Sequence, residues 1–185
     1  MSQPPIPIAL LFGSYRPNAL GRQVVRFLED HISDRGHTPL VADAAAHNLP
    51  FLEDTYAGFL KNGQTPPAGL AEIHTILQKA KAFILISGEY NHLPQPGLLN
   101  MLNFFYPEYA DKPAGLATYS VGNLGGVRTE YPLRTMASSL GIHVISPMLL
   151  VPNAQKTLAQ SKQANNTPFL QQINQFLDTL ISKTR

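Results

Sequence analysis

The sequence contains no cysteine and little charge, and both features exclude whole classes of protein. Without cysteine there is no disulfide framework, thiolate metal site or cysteine nucleophile, and the chain suits a reducing compartment. Charged residues make up 14% of the 185 residues and the net charge is +2, unlike the strongly basic surface of nucleic-acid-binding proteins. No apolar run approaches the ~18 residues of a membrane span, and the first residues show no basic, apolar leader. We expect a soluble, cytoplasmic protein without a nucleic-acid partner.

The apolar residues, 44% of the chain, are arranged as short runs that alternate with helical patterns. Apolar runs of this kind predict strands buried on both faces. The predicted strands cover 6–12, 38–42, 82–87, 113–119 and 143–146. Helical spacing of apolar residues predicts helices over 20–32, 70–80, 98–105, 133–140 and 168–181, the last with Thr167 as its N-cap. Residues 44–67 show little periodicity and are expected to form a surface loop, with a lid or dimer arm as the alternative.

Strands separated by helices predict parallel pairing through right-handed crossovers, with helices on both faces of the sheet. Five strands in this length favour an α/β, flavodoxin-like three-layer sandwich over a complete dinucleotide-binding domain. We expect a five-stranded parallel sheet of order 2-1-3-4-5 and one domain over residues 1–185. Ligands of such sheets bind beyond the carboxyl ends of the strands, so the loops after strands one, three and four are the candidate site.

The loop after the first strand has the composition of an anion site. It combines Gly13, Ser14 and Arg16 with the start of the following helix. It is neither a Walker loop nor the Gly-x-Gly-x-x-Gly fingerprint. The loop after the third strand contains Glu89, Tyr90 and Asn91 directly behind a buried strand. The loop after the fourth strand, 120–128, is rich in glycine, which allows the backbone to approach a flat ligand.

Together these loops resemble those of the NAD(P)H-dependent FMN reductase family, the flavodoxin-like group of quinone, azo-dye and chromate reductases. The resemblance depends on three motifs: Gly-Ser-Tyr-Arg in the first loop, Glu-Tyr-Asn ahead of Asn100 in the second, and Ser-Val-Gly-Asn-Leu-Gly-Gly in the third. Leu-Pro at 49–50 matches a further family segment, and the resemblance extends over about residues 6–147. It implies an oxidoreductase with FMN as cofactor and NADPH or NADH as co-substrate.

The resemblance implies FMN-binding residues in all three loops. In the first loop, the FMN phosphate would be bound by Ser14, Arg16, Asn18, Ala19, Leu20 and Gly21. In the second and third loops, the flavin would be bound by Gly88, Glu89, Tyr90, Asn91, Ser120, Gly122 and Gly125. Ala19 and Gly21 stand where the family usually has serine and asparagine, so two phosphate donors are missing and weaker FMN retention is expected.

The implied reaction is a ping-pong cycle in which hydride passes from a nicotinamide through flavin N5 to a quinone-, azo- or flavin-type acceptor. No catalytic side chain is required, and the spacing of the histidines indicates no metal. Three alternatives stay open: a non-enzymatic flavin electron carrier, a regulatory module of the same fold, and a nucleoside-processing enzyme with Glu89 as nucleophile.

The helix over 97–106 is apolar nearly all round, with only Asn100 and Asn103 polar. A surface helix of a doubly wound domain normally has a hydrated face. We therefore expect this helix to contact a second subunit, as homodimer or homotetramer, since members of the family are typically oligomers. A helix buried within the monomer is the alternative.

Overall fold

The computed structural model describes residues 4–163 and 167–184, which are built around one parallel β-sheet. The strands are β1 Pro7–Phe12, β2 Thr38–Asp43, β3 Ala82–Tyr90, β4 Leu93–Pro94, β5 Pro113–Tyr119, β6 His143–Val144 and β7 Leu149–Val151. The helices are α1 Gly21–Ser33, α2 Tyr56–Lys61, α3 Ala68–Lys79, α4 Pro96–Asn103, α5 Glu130–Ser139, α6 Ala154–Gln163 and α7 Pro168–Ser182. A short 3-10 helix, Val127–Thr129, precedes α5.

The strand order confirms the predicted topology. β1 lies between β2 and β3, β5 follows β3, and all of these pairs are parallel. β6 and β7 both pair with β5, one after the other along its free edge. β4 forms only a short antiparallel hairpin with the end of β3. Leaving this hairpin aside, and counting β6 with β7 as one interrupted strand, the order is the predicted 2-1-3-4-5.

Alternation along the central strands divides the core into two layers, one on each face of the sheet. In β1, Ile8, Leu10 and Phe12 face the cluster that includes side chains of α1, α6 and α7. Ala9 and Leu11 face the cluster that includes α3, α4 and α5. Both sets are fully or almost fully buried, as expected for a sheet covered on both sides. The three-layer sandwich is therefore confirmed.

Four local features differ from the sequence prediction. The third strand does not end at Ser87 but continues to Tyr90, because its last residues pair with β4. The last predicted strand is interrupted after Val144 and resumes at Leu149, since Pro147 has no N–H to donate to a ladder. Helix α2 lies inside the segment expected to be loop, and helix α6 was not predicted. Both helices bury too few apolar side chains to leave a clear periodic pattern.

The apolar helix after β4 is covered by the chain itself. Its most apolar side chains are buried in the monomer core: Leu98, Met101, Leu102, Phe104 and Phe105. Leu99 and both asparagines are half-buried, and Tyr106 is 50% exposed. The apolar composition of this helix is therefore accounted for by burial within the monomer, which was the alternative, and does not by itself indicate a second subunit. The oligomer itself stays a prediction. No helix in the described ranges has the length and apolarity needed to cross a membrane.

Candidate functional site

A cavity of about 290 Å³ lies at the carboxyl ends of β1, β3 and β5, where the three candidate loops meet. Its walls bring together most of the predicted site residues: Ser14, Arg16, Ala19, Leu20, Gly88, Glu89, Tyr90 and Ser120. Three further lining residues were not predicted: Gln95, Tyr119 and Val121. Parallel strands end at the same edge of the sheet, so segments more than a hundred residues apart in the chain form one cavity.

The first loop presents a hydroxyl and the beginning of a helix to the cavity. Ser14 is buried, and its Oγ accepts a hydrogen bond of 3.4 Å from the Arg16 N–H. Helix α1 begins at Gly21, and among the described residues no side chain caps its first turn. First-turn N–H groups without a cap attract anions, because they carry the positive end of the helix dipole. Asn18 is exposed and does not line the cavity, and Gly21 is buried beside it.

Three arginines flank the cavity, but two are bound to carboxylates. Arg22 forms an ion pair with Asp43 at the end of β2. Arg128 donates to a Glu89 oxygen at 3.0 Å. Arg16 has no carboxylate partner among the described residues and lies over the ring of Tyr90. Its guanidinium is therefore available to an anionic ligand, and the geometry of a guanidinium suits phosphate.

The second loop is a tight hairpin rather than an irregular turn. Tyr90 pairs with Leu93 across the two residues Asn91 and His92, which have φ values of 52° and 70°. Two left-handed residues are typical of the type I′ turn, whose twist matches that of the flanking strands. Asn91 consequently lies at the exposed tip and is not among the residues that line the cavity, and its contact with FMN stays a prediction. Glu89 and Tyr90 belong to β3 itself, so a strand rather than a loop positions them.

The third loop is held by hydrogen bonds to its own backbone. The Thr118 hydroxyl donates to the Gly125 carbonyl at 2.7 Å, and the Ser120 hydroxyl donates to the Gly122 carbonyl at 2.8 Å. Gly125 has a φ of 61°, a backbone conformation that favours glycine, and it is buried rather than cavity-lining. Gly122 has open space around it but also lies outside the cavity walls. Ser120 alone of the three predicted residues in this loop lines the cavity.

The sequence prediction did not include Tyr119, which was assigned to a strand, or Gln95, which belongs to the second loop but was not selected as a binding residue. Tyr119 is the last residue of β5, and Gln95 immediately precedes helix α4. Both are almost completely buried, and the Tyr119 hydroxyl donates to Gln95 Oε1 at 3.3 Å. Burial raises the pKa of Tyr119 to about 12, so the phenol stays protonated at neutral pH. The sequence did contain a signal for Tyr119: it places a side chain with a polar hydroxyl at the carboxyl end of a mostly apolar strand.

The cavity residues fit a ligand with an anionic end and a flat end. The hydroxyl of Ser14, the guanidinium of Arg16 and the uncapped start of α1 supply donors for an anion. The Tyr90 ring and the backbone at Gly88 line another part of the cavity wall, where an aromatic ring can stack and a glycine allows close approach. FMN has a terminal phosphate and a planar ring system, so this set of donors and surfaces suits it. Within the described residues, no group of three or more His, Asp or Glu side chains could hold a metal.

Comparisons with known proteins agree with this chemistry. A family model described as NADPH-dependent FMN reductase matches residues 6–156. The quinone reductase of Escherichia coli (strain K12) is 26% identical over 149 residues, 76% of this chain and 74% of that protein. An NAD(P)H:quinone oxidoreductase of Solanum tuberosum is 27% identical over 148 residues, 78% of this chain and 74% of that protein.

Solved structures show the same fold at lower identity. The flavoenzyme NAD(P)H:(acceptor) oxidoreductase FerB from Paracoccus denitrificans superposes with a TM-score of 0.72 at 16% identity, covering 96% of this chain and 98% of FerB. A flavodoxin from Pseudomonas aeruginosa superposes with a TM-score of 0.57 at 14% identity, covering 95% and 99%. The family match includes every residue that lines the cavity. The chain therefore belongs to the NADPH-dependent FMN reductase family, a family of flavin-dependent oxidoreductases.

Proposed function

We propose that the cavity holds the FMN of this oxidoreductase, and that hydride from NADPH or NADH is passed to a quinone-, azo- or flavin-type acceptor in a ping-pong cycle. The observation that carries the proposal is Arg16, which lines the cavity beside the uncapped start of α1 without a carboxylate partner among the described residues. When bound, FMN would supply the hydride-transfer chemistry, and the chain would supply its binding and orientation.

The chain's residues then have binding and positioning roles. Ser14, Arg16 and the first-turn N–H groups of α1 would hold the phosphate, with the backbone of Ala19 and Leu20 closing that end of the cavity. Glu89 and Tyr90, fixed by their pairing with β4, would line the flat part of the cofactor. No side chain acts as a nucleophile in this scheme. Five residues predicted from the sequence do not line the cavity, and they would contribute only through the backbone conformation of their loops: Asn18, Gly21, Asn91, Gly122 and Gly125.

Exposed apolar side chains around the cavity support a flat, apolar acceptor. Val121 lines the cavity and is 81% exposed, and Leu124 in the same loop is 51% exposed. Leu93 in the hairpin of Tyr90 is 56% exposed. Apolar side chains that stay uncovered beside a polar cavity are typical of a ligand-binding or partner-binding surface. A quinone ring has this apolar, planar character.

A homo-oligomer through the 97–106 helix remains part of the proposal, although on different grounds. Asn100 of this helix holds the segment after β2: its Nδ2 donates to the Pro50 carbonyl at 2.6 Å, and its Oδ1 accepts from the Leu52 N–H at 3.1 Å. The segment so held leaves Phe51 90% exposed. Phe51→Ser should lower the solution mass of an oligomer measured by ultracentrifugation, and an unchanged mass would contradict an interface at this segment.

A cytoplasmic location also stays a prediction. It is supported by the absence of cysteine from the sequence, which suits a reducing compartment.

The test of the proposed function is a titration of the purified chain with FMN, followed by steady-state kinetics. We expect FMN fluorescence to be quenched on binding and NADPH or NADH oxidation to become continuous when a quinone is added. Initial rates at several quinone concentrations should yield parallel double-reciprocal lines. Failure to bind FMN would reject the proposal, and FMN binding without turnover would favour the electron carrier.

A further inference from the structure

Tyr119 lies against the first residue of helix α1, at the end of the cavity where the anion donors are gathered. A Cβ atom built on Gly21 would be 2.3 Å from the Tyr119 hydroxyl oxygen and 2.4 Å from Cζ. The hydroxyl is therefore in contact distance of the backbone at which the helix begins. Only a residue without a side chain at position 21 leaves room for the phenol there.

The rest of the Tyr119 side chain is fixed by packing. The residue is 6% exposed and its ring belongs to the apolar cluster that includes α1, α6 and α7. A Cβ atom built on Gly88 would come within 3.1 Å of the Tyr119 ring carbons, so the ring also packs against β3. Packing from both sides holds the ring in place, and the hydroxyl end reaches the cavity wall.

Within the described ranges the hydroxyl has one hydrogen-bond partner, and that bond is long. Tyr119 donates to Gln95 Oε1 at 3.3 Å, whereas O–H···O bonds are usually ~2.7–2.8 Å. Gln95 is 2% exposed and lines the same cavity. Because this bond is long, a phosphate oxygen in the cavity would be a stronger acceptor for the phenol O–H than Gln95 Oε1 is. The raised pKa of the phenol means that it meets an anion as a neutral donor rather than as a negative charge.

We propose that the Tyr119 hydroxyl is a binding residue for the phosphate of FMN and takes the place of a side-chain donor at position 21. When the phosphate is present, the single O–H of Tyr119 turns from Gln95 Oε1 to a phosphate oxygen, and the rotated Gln95 amide donates an N–H to the phenol oxygen. This inference rests on the proposed function, because it requires that FMN occupies the cavity. Tyr119 is the binding residue, and Gln95 is a positioning residue that acts through it. Gly21 contributes by leaving the space in which the hydroxyl lies.

The test compares FMN with riboflavin, which has the same ring and ribityl chain but no phosphate. Tyr119→Phe keeps the packed ring and removes only the hydroxyl. We expect it to weaken FMN binding about tenfold or more, the usual range for a hydrogen bond to a charged group, and to leave riboflavin binding unchanged. Affinity is measured by quenching of flavin fluorescence, so the readout does not depend on turnover.

Tyr109→Phe is the matched control. Tyr109 is also fully buried, but it lies in the core layer on the opposite face of the sheet, away from the cavity. Removing its hydroxyl should leave both affinities unchanged. Gln95→Met as a single substitution should weaken FMN binding. Combined with Tyr119→Phe it should cause little further loss of affinity, because Gln95 acts through the Tyr119 hydroxyl.

The outcomes separate the inference from the proposed function. Equal FMN affinity in wild type and Tyr119→Phe would overturn the inference while leaving the FMN site intact. Equal loss for FMN and riboflavin would also overturn it, because the hydroxyl would then serve the ring or ribityl chain. If the wild-type chain binds neither flavin, the proposed function fails first. A melting temperature close to that of wild type shows that Tyr119→Phe is folded.

Discussion

The guanidinium carbon of Arg16 lies 4.7 Å from the centroid of the Tyr90 ring, so the loop after β1 contacts the hairpin at the end of β3. An exposed cation–π contact of this kind contributes ~0.5–1 kcal/mol, whereas a hydrogen bond to a charged group contributes ~1.5–3 kcal/mol. A phosphate in the cavity should therefore compete successfully for Arg16. The same residue would hold the two segments together without ligand and bind the anion with it.

Arg16→Gln should weaken FMN binding at least about tenfold and leave riboflavin binding unchanged, because only FMN carries the phosphate. Arg26→Gln is the matched control, since Arg26 is an exposed arginine on α1 that does not line the cavity. It removes the same charge from a site on the helix that follows the Arg16 loop. Fluorescence titration at fixed ionic strength measures the FMN and riboflavin affinities of both variants. An equal loss in the two variants would mean that net charge, rather than a contact by Arg16, governs affinity.

Gly21→Ala should destabilise the fold and weaken FMN binding together. Alanine normally stabilises a helix relative to glycine by ~1 kcal/mol, but here its Cβ would overlap the Tyr119 hydroxyl and the Phe12 ring. Overpacking of this kind costs ~1–3 kcal/mol, so the net effect has the opposite sign to helix propensity. For stability, Gly122→Ala is the control, because nothing lies within 4 Å of its Cβ position. Urea denaturation that shows Gly21→Ala to be more stable than wild type would contradict the close contact.

His92→Gly should raise the free energy of unfolding by ~0.5–1 kcal/mol. His92 has a φ of 70° at the second position of the hairpin turn, where a left-handed conformation is costly for a residue with a side chain. Glycine removes that cost, although its greater freedom in the unfolded chain offsets part of the gain. Replacing the same residue by alanine should produce no such gain. Equal stability of the glycine and alanine variants, measured by urea denaturation, would contradict a type I′ turn.

Tyr109→Phe should stabilise the protein by about 1 kcal/mol. Among the described residues the Tyr109 hydroxyl has no hydrogen-bond partner, although the side chain is fully buried between Phe83 and Phe105. A buried polar group without a partner costs ~1–3 kcal/mol, and phenylalanine preserves the edge-to-face ring contacts. Calorimetry of the two proteins measures the difference. A lower melting temperature for the variant would show that the hydroxyl is satisfied in solution, for example by water.

Stability should fall as pH rises from about 10 to about 12, partly because of Tyr119. Burial raises its pKa from near 10 to about 12, so the folded chain keeps a proton that the unfolded chain releases. The free energy of unfolding therefore decreases with pH across this window. Tyr119→Phe has no such proton and should show a shallower decline in urea denaturation between about pH 9 and pH 11.5. Equal slopes would contradict the burial of the phenol.

The predictable parts of this protein were those with a strong local signal. The strand predicted over 113–119 agrees with β5 to the residue, and Thr167 caps α7 through a bond from the Leu170 N–H. The convergence of three loops followed from parallel pairing alone, because such strands end at one edge. Helices α2 and α6 were missed because few of their residues are buried, which leaves little periodicity to detect.

The amino-acid sequence by itself determined the alternation of strands and helices, the order of the sheet and the chemistry of the loops at its carboxyl edge. Each of these depends on residue types close together in the chain, where periodicity and turn chemistry act. Only the tertiary structure decided that Arg16 has no carboxylate partner in the described part of the chain, that Asn91 lies at the tip of a hairpin, and that the apolar α4 is buried in the monomer. It also placed the Tyr119 hydroxyl against Gly21. These relationships join residues distant in sequence, and a contact of a few ångströms between them depends on how the layers pack, which no local pattern encodes.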